Sequence, residues 1–145
     1  MYGNLRGVGE GIRQAVASGI CRREDLFLTA KVWPTNMAPA HVEAAIDNML
    51  LLVGASYFDM VLLHWPVPMK HTGDVGDVGD GTFYVVNEEG DYGYDTSYGL
   101  IDAWWALEEL VGGKNKVKNI GLCNADANMV FEIMTRRKNK NVRVR

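Results

Sequence analysis

Apolar residues follow two spacings along this chain, and the alternation between the spacings lays out its plan. Val8, Ile12, Ala15 and Val16 recur at helical intervals before Gly19, which predicts a helix over about residues 7–18. Two continuous apolar runs follow, at residues 26–33 (LFLTAKVW) and 57–66 (YFDMVLLHWP). Such runs read as strands buried on both faces. Between them Pro39 suits a first helical turn; Val42, Ala45, Ile46, Met49, Leu50 and Val53 share one face, and Gly54 closes the helix. After an irregular stretch at about 67–98, Ile101, Trp104, Trp105, Leu107, Leu110 and Val111 predict another helix, stopped by Gly112 and Gly113. Residues 117–123 (VKNIGLC) read as a third strand. Val130, Ile133 and Met134 predict a last helix over about 127–138, and residues 142–145 start a fourth strand. Strands that alternate with helices predict right-handed βαβ units on a parallel sheet. This order is compatible with an open or a closed sheet.

The chemistry of the strand ends sharpens the picture. One strand closes on Lys31 and Trp33, the other on His64 and Trp65. A titratable group beside a large indole suits the rim of a parallel barrel, where active sites sit. Of the three histidines, His64 alone ends a predicted strand; His41 falls in a helix beside Glu43 and is expected to be exposed, and His71 falls in the irregular stretch. A lone histidine in that position is as compatible with a satisfied core as with a site, and a lone lysine with one that snorkels to the rim. Two such groups at matching ends of neighbouring strands tilt the balance toward a site.

Composition narrows the classes. At 145 residues with 48% apolar content the chain reads as one globular domain. Cys21 and Cys123 are far apart and lack metal-ligand spacing, so both are expected as free thiols in a reducing compartment. The opening MYGNLRG has no apolar leader, and no apolar run reaches the ~20 residues of a membrane span; the expected location is cytoplasmic. The net charge of −3 hides an asymmetry. Residues 71–100 carry seven acidic groups and no Lys or Arg, whereas 114–145 carry nine basic groups and two acidic ones. The basic stretch has no interleaved aromatic residues for base stacking, so no nucleic-acid partner is expected. Asp74, Asp77 and Asp80 recur every third residue, unlike the alternate ligand positions and distant glutamate of a calcium loop; no metal site is expected. The Gly/Asp-rich insertion reads as a lid or specificity loop, or as solvated decoration.

Taken together the motifs resemble the aldo-keto reductase family, of the aldose or aldehyde reductase type. YGN at 2–4, TAKVW at 29–33, LLHWPVPM at 62–69, WWALEEL at 104–110 and VKNIGLCN at 117–124 match segments of that family in its order. The intervals agree as well, with 29 residues from Tyr2 to Lys31 and 33 from Lys31 to His64. The resemblance implies a partial (β/α)8 barrel, roughly the third to fifth βα units, in one partial domain over residues 1–145 with an acidic insertion at about 67–98. It implies hydride transfer from NADPH to a small aldehyde or ketone. Tyr2 matches the family's proton-donating tyrosine, Lys31 the lysine whose charge supports it, and His64 the histidine that orients the carbonyl. Trp33 and Trp65 match walls of the substrate pocket. Asn124 matches the asparagine that holds the nicotinamide carboxamide, and Cys123 stands where serine is usual, which weakens a hydrogen bond there.

Departures from the family pattern shape the remaining expectations. The aspartate found five residues before the tyrosine, the first two barrel strands and the later segments that bind most of the adenine nucleotide have no counterpart in these residues. About half a barrel with two unpaired sheet edges is expected to self-associate, to hold Tyr2 poorly and to lack full activity. The alternative is a non-catalytic truncated member of the family that acts as a binding or assembly module.

Overall fold

A computed structural model of the chain describes residues 2–73, 86, 88–111, 115–140 and 142. The predicted alternation is realised as α1 (Leu5–Ala17), β1 (Thr29–Val32), α2 (Pro39–Val53), β2 (Met60–Leu63), α3 (Leu100–Leu110), β3 (Ile120–Leu122) and α4 (Ala127–Arg136). The strands form one parallel sheet in the order β1-β2-β3. Each strand leads into a helix, and the three helices that follow strands cover one face of the sheet. Ala30 and Val32 of β1, Val61 and Leu63 of β2 and Ile120 of β3 pack in one core with Val42, Ile46 and Val53 of α2, Trp104 and Leu107 of α3 and Ile133 of α4. Side chains alternate across a strand, so the half-buried Lys31 and Leu62 fall on the opposite face.

The strands are shorter than the apolar runs, and at the N-terminal ends of β1 and β2 Asp59 stands between them. Its carboxylate accepts from Leu28 N at 3.0 Å, from Arg23 Nη2 at 3.0 Å and from Lys118 Nζ at 3.2 Å. Arg23 also donates to Tyr57 O at 2.8 Å. Both cations lie over the Tyr57 ring, at 4.0 and 3.8 Å from its centroid. A charged clasp thus gathers the N-terminal ends of the strands where the run of apolar letters suggested continued ladder. Burial pushes the Asp59 carboxyl up, but the Leu28 N–H and the two cations outweigh it and hold the group below the usual carboxylate range.

α2 starts at Pro39 and stops at Gly54, which takes φ +69°. α1 begins at Leu5, before the expected residue 7, and rests on α2 through the buried Gly9. A Cβ at position 9 would run into the Val53 carbonyl group. α4 ends at Arg136, short of the expected residue 138. The chain is captured there by the buried Glu108, which accepts from the backbone N–H groups of Lys138 and Asn139 at 2.9 and 3.2 Å and from Trp104 Nε1 at 2.8 Å. The Gly112–Gly113 stop, the Asp74/Asp77/Asp80 repeat and residues 143–145 of the expected fourth strand lie outside the described residues.

Two substitutions test this frame. Asp59→Asn leaves two cations and a backbone N–H with a weaker partner and is expected to cost about 2–4 kcal/mol in urea unfolding. The wild-type contribution is present above the unfolded carboxyl's range and is lost as pH falls through the lower folded-state value, so the difference between the two proteins shrinks in acid. Gly9→Ala is expected to cost about 1–3 kcal/mol by forcing α1 away from α2, measured as a lower midpoint in the same experiment.

Candidate active site

The C-terminal ends of the three strands are stitched into one mouth. His64 N donates to Val32 O at 3.0 Å and Cys123 N to Leu63 O at 2.9 Å. The residues that follow the strands therefore emerge side by side. Lys31, from the last turn of β1, and His64, just past β2, meet Tyr2, which precedes α1. Lys31 Nζ donates to the Tyr2 hydroxyl oxygen at 3.1 Å, and the Tyr2 and His64 rings stand 5.9 Å apart. Tyr2 was expected to be poorly held; it is 63% exposed, and the Lys31 ammonium is the hydrogen-bond partner of its phenol in this arrangement. Among the described residues Lys31 has no carboxylate partner, so its charge is directed at the phenol oxygen.

Aromatic walls complete the mouth. Trp33 is buried and meets His64 edge-on at 5.1 Å, while the more exposed Trp65 lies roughly parallel to it at 6.4 Å. Tyr2, Lys31, Trp33 and His64 border a cavity of about 290 Å³ whose floor is apolar, with Met49, Val53 and Phe58. A second cleft of about 250 Å³ lies beside it, between Pro34, Trp65, Val67, Met69, Tyr92 and Tyr94. A larger hollow of about 530 Å³, along Trp105, Glu108 and Lys138, holds none of these groups and is set aside on chemical grounds.

His64 is 6% exposed. Burial pushes its pKa below the ordinary imidazole value, and the positive charge of Lys31 adds to the effect. The ring is therefore neutral near pH 7, with one N–H to donate and one lone pair. Asn124 completes the set from β3. It takes a left-handed backbone, φ 54°, which asparagine tolerates, and its Nδ2 donates to His64 O at 2.7 Å. The Cys123 sulfur lies 3.4 Å from the same nitrogen. The amide oxygen of Asn124 is left as an acceptor at the mouth, which suits an N–H-bearing carboxamide. All seven residues expected from sequence thus lie at or next to one mouth: Tyr2, Lys31, Trp33, His64, Trp65, Cys123 and Asn124.

Sequence reasoning missed the residues that root the insertion. Met69 pairs with Tyr94 in an antiparallel bridge, Lys70 N donates to Gly93 O at 2.9 Å and Asp95 N to Pro68 O at 3.1 Å. The Tyr98 hydroxyl reaches Pro34 O and Met69 O at 3.4 and 3.5 Å; burial, then the charge of Asp95, pushes its pKa up to about 12. The alternation Tyr92-Gly93-Tyr94 was the available signal for an extended segment. His41, expected exposed, is half-buried and stacked on His71. Among the described residues no cluster of three or more His, Cys, Asp or Glu is placed to hold a metal ion, and no helix is long and apolar enough to cross a membrane.

Known proteins share this architecture. The model of the aldo/keto reductase family matches residues 2–144. The NAD(P)H-dependent D-xylose reductase I,II of Candida tropicalis is 35% identical over 133 residues, covering 92% of this chain and 40% of that protein. The NADPH-dependent aldose reductase of Saccharomyces cerevisiae is 32% identical over 135 residues, covering 92% and 41%. The solved aldose reductase from Schistosoma japonicum superposes with a TM-score of 0.83 at 33% identity, over 96% of this chain and 43% of that one. The chain spans about two fifths of the length of the curated relatives it matches, and its three βα units form part of a (β/α)8 barrel.

The electrostatics of His64 are testable directly. Its C2–H proton is expected to titrate below the ordinary imidazole value of about 6.5. Lys31→Met removes the charge but not the burial, so the NMR midpoint is expected to rise part of the way back.

Proposed function

The chain belongs to the aldo/keto reductase family, and we propose that its mouth serves the reduction of an aldehyde or ketone to an alcohol, with NADPH as the hydride source. The observation that carries this reading is the Lys31 ammonium donating to the Tyr2 hydroxyl at 3.1 Å beside a buried, neutral imidazole. A carbonyl oxygen set between Tyr2 and His64 accepts the imidazole N–H, which orients it. As negative charge grows on that oxygen, Tyr2 gives up its proton and Lys31 stabilises the phenolate left behind. Tyr2 is 63% exposed, so water can return the proton. Trp33 and Trp65 wall the reacting carbonyl. Asn124 offers its amide oxygen to the carboxamide of the nicotinamide, with Cys123 next to it, and that cofactor supplies the hydride when bound.

Under this reading the 145-residue chain alone lacks full activity. Support comes from Lys31 having no carboxylate partner among the described residues and from relatives more than twice as long. The cytoplasm is the proposed place of action, in keeping with two free thiols. A second reading, an assembly module of the same family, is favoured by the sheet: among the described residues the outer edges of β1 and β3 carry no strand, and open edges promote self-association.

Titration with NADPH is expected to quench tryptophan fluorescence in a saturable way; no quench at millimolar cofactor overturns the cofactor assignment. NADPH oxidation with a simple aldehyde is expected to be slow and to fall by about 10²-fold or more in Tyr2→Phe. An unchanged rate removes Tyr2 from its role, and ordinary enzyme rates in the wild type overturn the claim of incompleteness. Gel filtration that returns only monomer removes the assembly reading.

A further inference from the structure

We propose that His41 and His71 form a proton-sensitive latch that ties the root of the 67–98 insertion to α2 and releases it in mild acid. The two rings stack face to face, with centroids 3.9 Å apart and planes 13° from parallel. His41 is anchored in the first turns of α2, and His71 directly follows the Met69–Lys70 segment that pairs with Gly93–Tyr94. His71 Nδ1 lies 2.9 Å from Thr35 O. A carbonyl only accepts, so Nδ1 carries the hydrogen and the neutral ring keeps its lone pair on Nε2. This is the short tether between the insertion and the 34–36 turn, since the Tyr98 hydroxyl reaches the same region only at 3.4 and 3.5 Å.

A stack of two half-buried imidazoles tolerates one proton readily. The second places two like charges face to face, with ring centroids 3.9 Å apart. Among the described residues, Glu43 of α2 and Asp95 of the insertion root already have partners. On α2 the next charged residue, Glu43, is engaged with Lys116. The 34–36 turn contributes only Pro34, Thr35 and Asn36, and the Thr35 Oγ1, Asn36 Oδ1 and Thr72 Oγ1 atoms are buried there without hydrogen bonds. The insertion root contributes Lys70, Asp95 and Tyr98, with Asp95 held by Ser97. Burial, then the charge of His71, pushes the His41 pKa down. The sign follows: a base whose folded pKa is depressed binds fewer protons in the closed form than in the released one, so closure is favoured above the ordinary imidazole range and weakens as pH falls through it. A metal ion is not the ligand this pair fits. The in-plane lone pairs of parallel rings run side by side, and a single ion would sit off both planes.

What the latch governs is the second cleft. Val67, Met69, Tyr92 and Tyr94, four of its walls, belong to the ribbon that His71 holds down. Release of His71 from Thr35 frees that ribbon and opens the side of the mouth next to Trp65.

The test uses the full chain and needs no catalytic activity. NMR is expected to show the His41 C2–H signal titrating below the ordinary imidazole value. Amide exchange, corrected for intrinsic rates, is expected to show the protection of Lys70 and Asp95 N–H falling at least about tenfold between roughly pH 7.5 and 5.5, with Val61 in the core unchanged. His41→Phe keeps a stacked ring and removes one charge; its Lys70 and Asp95 protection is expected to stay constant across that range. His41→Gln serves as the second variant if Val61 protection shows that His41→Phe is misfolded. Constant protection in the wild type, or undiminished pH sensitivity in the folded variant, overturns the latch.

Discussion

Parallel pairing in a single register underlies the whole arrangement. Lys31 stands opposite Leu62, and Leu63 opposite Leu122. The bonds from His64 N to Val32 O and from Cys123 N to Leu63 O carry that register past the last strand residues. A slip of one residue would exchange the two faces of a strand. Lys31 would then turn into the helical core and Val32 into the mouth. The burial of Ala30, Val32, Val61 and Leu63 under the helices is therefore also what points the ammonium at the phenol. Core packing and site geometry are one constraint.

The charge balance at the mouth follows from the same burial. His64 is desolvated by the walls that Trp33 and the strand ends provide, and Lys31, on the exposed face of β1, adds its field. The imidazole is kept neutral, and its own main-chain oxygen is held by Asn124. A single buried group is thus fixed in charge by β1 and in position by β3. Of the aromatic residues, Trp33 is buried edge-on to the imidazole, whereas Trp65 lies more exposed and roughly parallel to it.

Much of this was legible in the residues. The apolar runs at 26–33 and 57–66 announced β1 and β2, although burial on both faces was expected and the face that carries Lys31 and Leu62 is only half-buried. Pro39 and Gly54 bracketed α2 because their backbone limits act locally. The ends of β1 and β2 were not legible: Asp59 looks like an interruption in an apolar run, and only the meeting of Arg23, Lys118 and the Leu28 N–H explains it. His41 was misread because helical spacing assigns a face but not what packs upon it, and His71 comes from 30 residues further on. Asn124 was recognised through resemblance alone. Its bond to the His64 carbonyl depends on a left-handed backbone that no periodicity reports. The Tyr2–Lys31 contact likewise joins residues 29 apart and exists only once α1 lies against α2.

The clasp of Asp59, Arg23, Lys118 and Tyr57 sits at the end of the sheet remote from the mouth. The charged clasp and the candidate site therefore lie at opposite ends of the same three strands. The far pole joins β1, β2 and the approach to β3 without using any residue of the mouth. Exchange of the mouth between relatives by grafting should leave the scaffold standing, whereas a graft whose seam crosses the clasp should not.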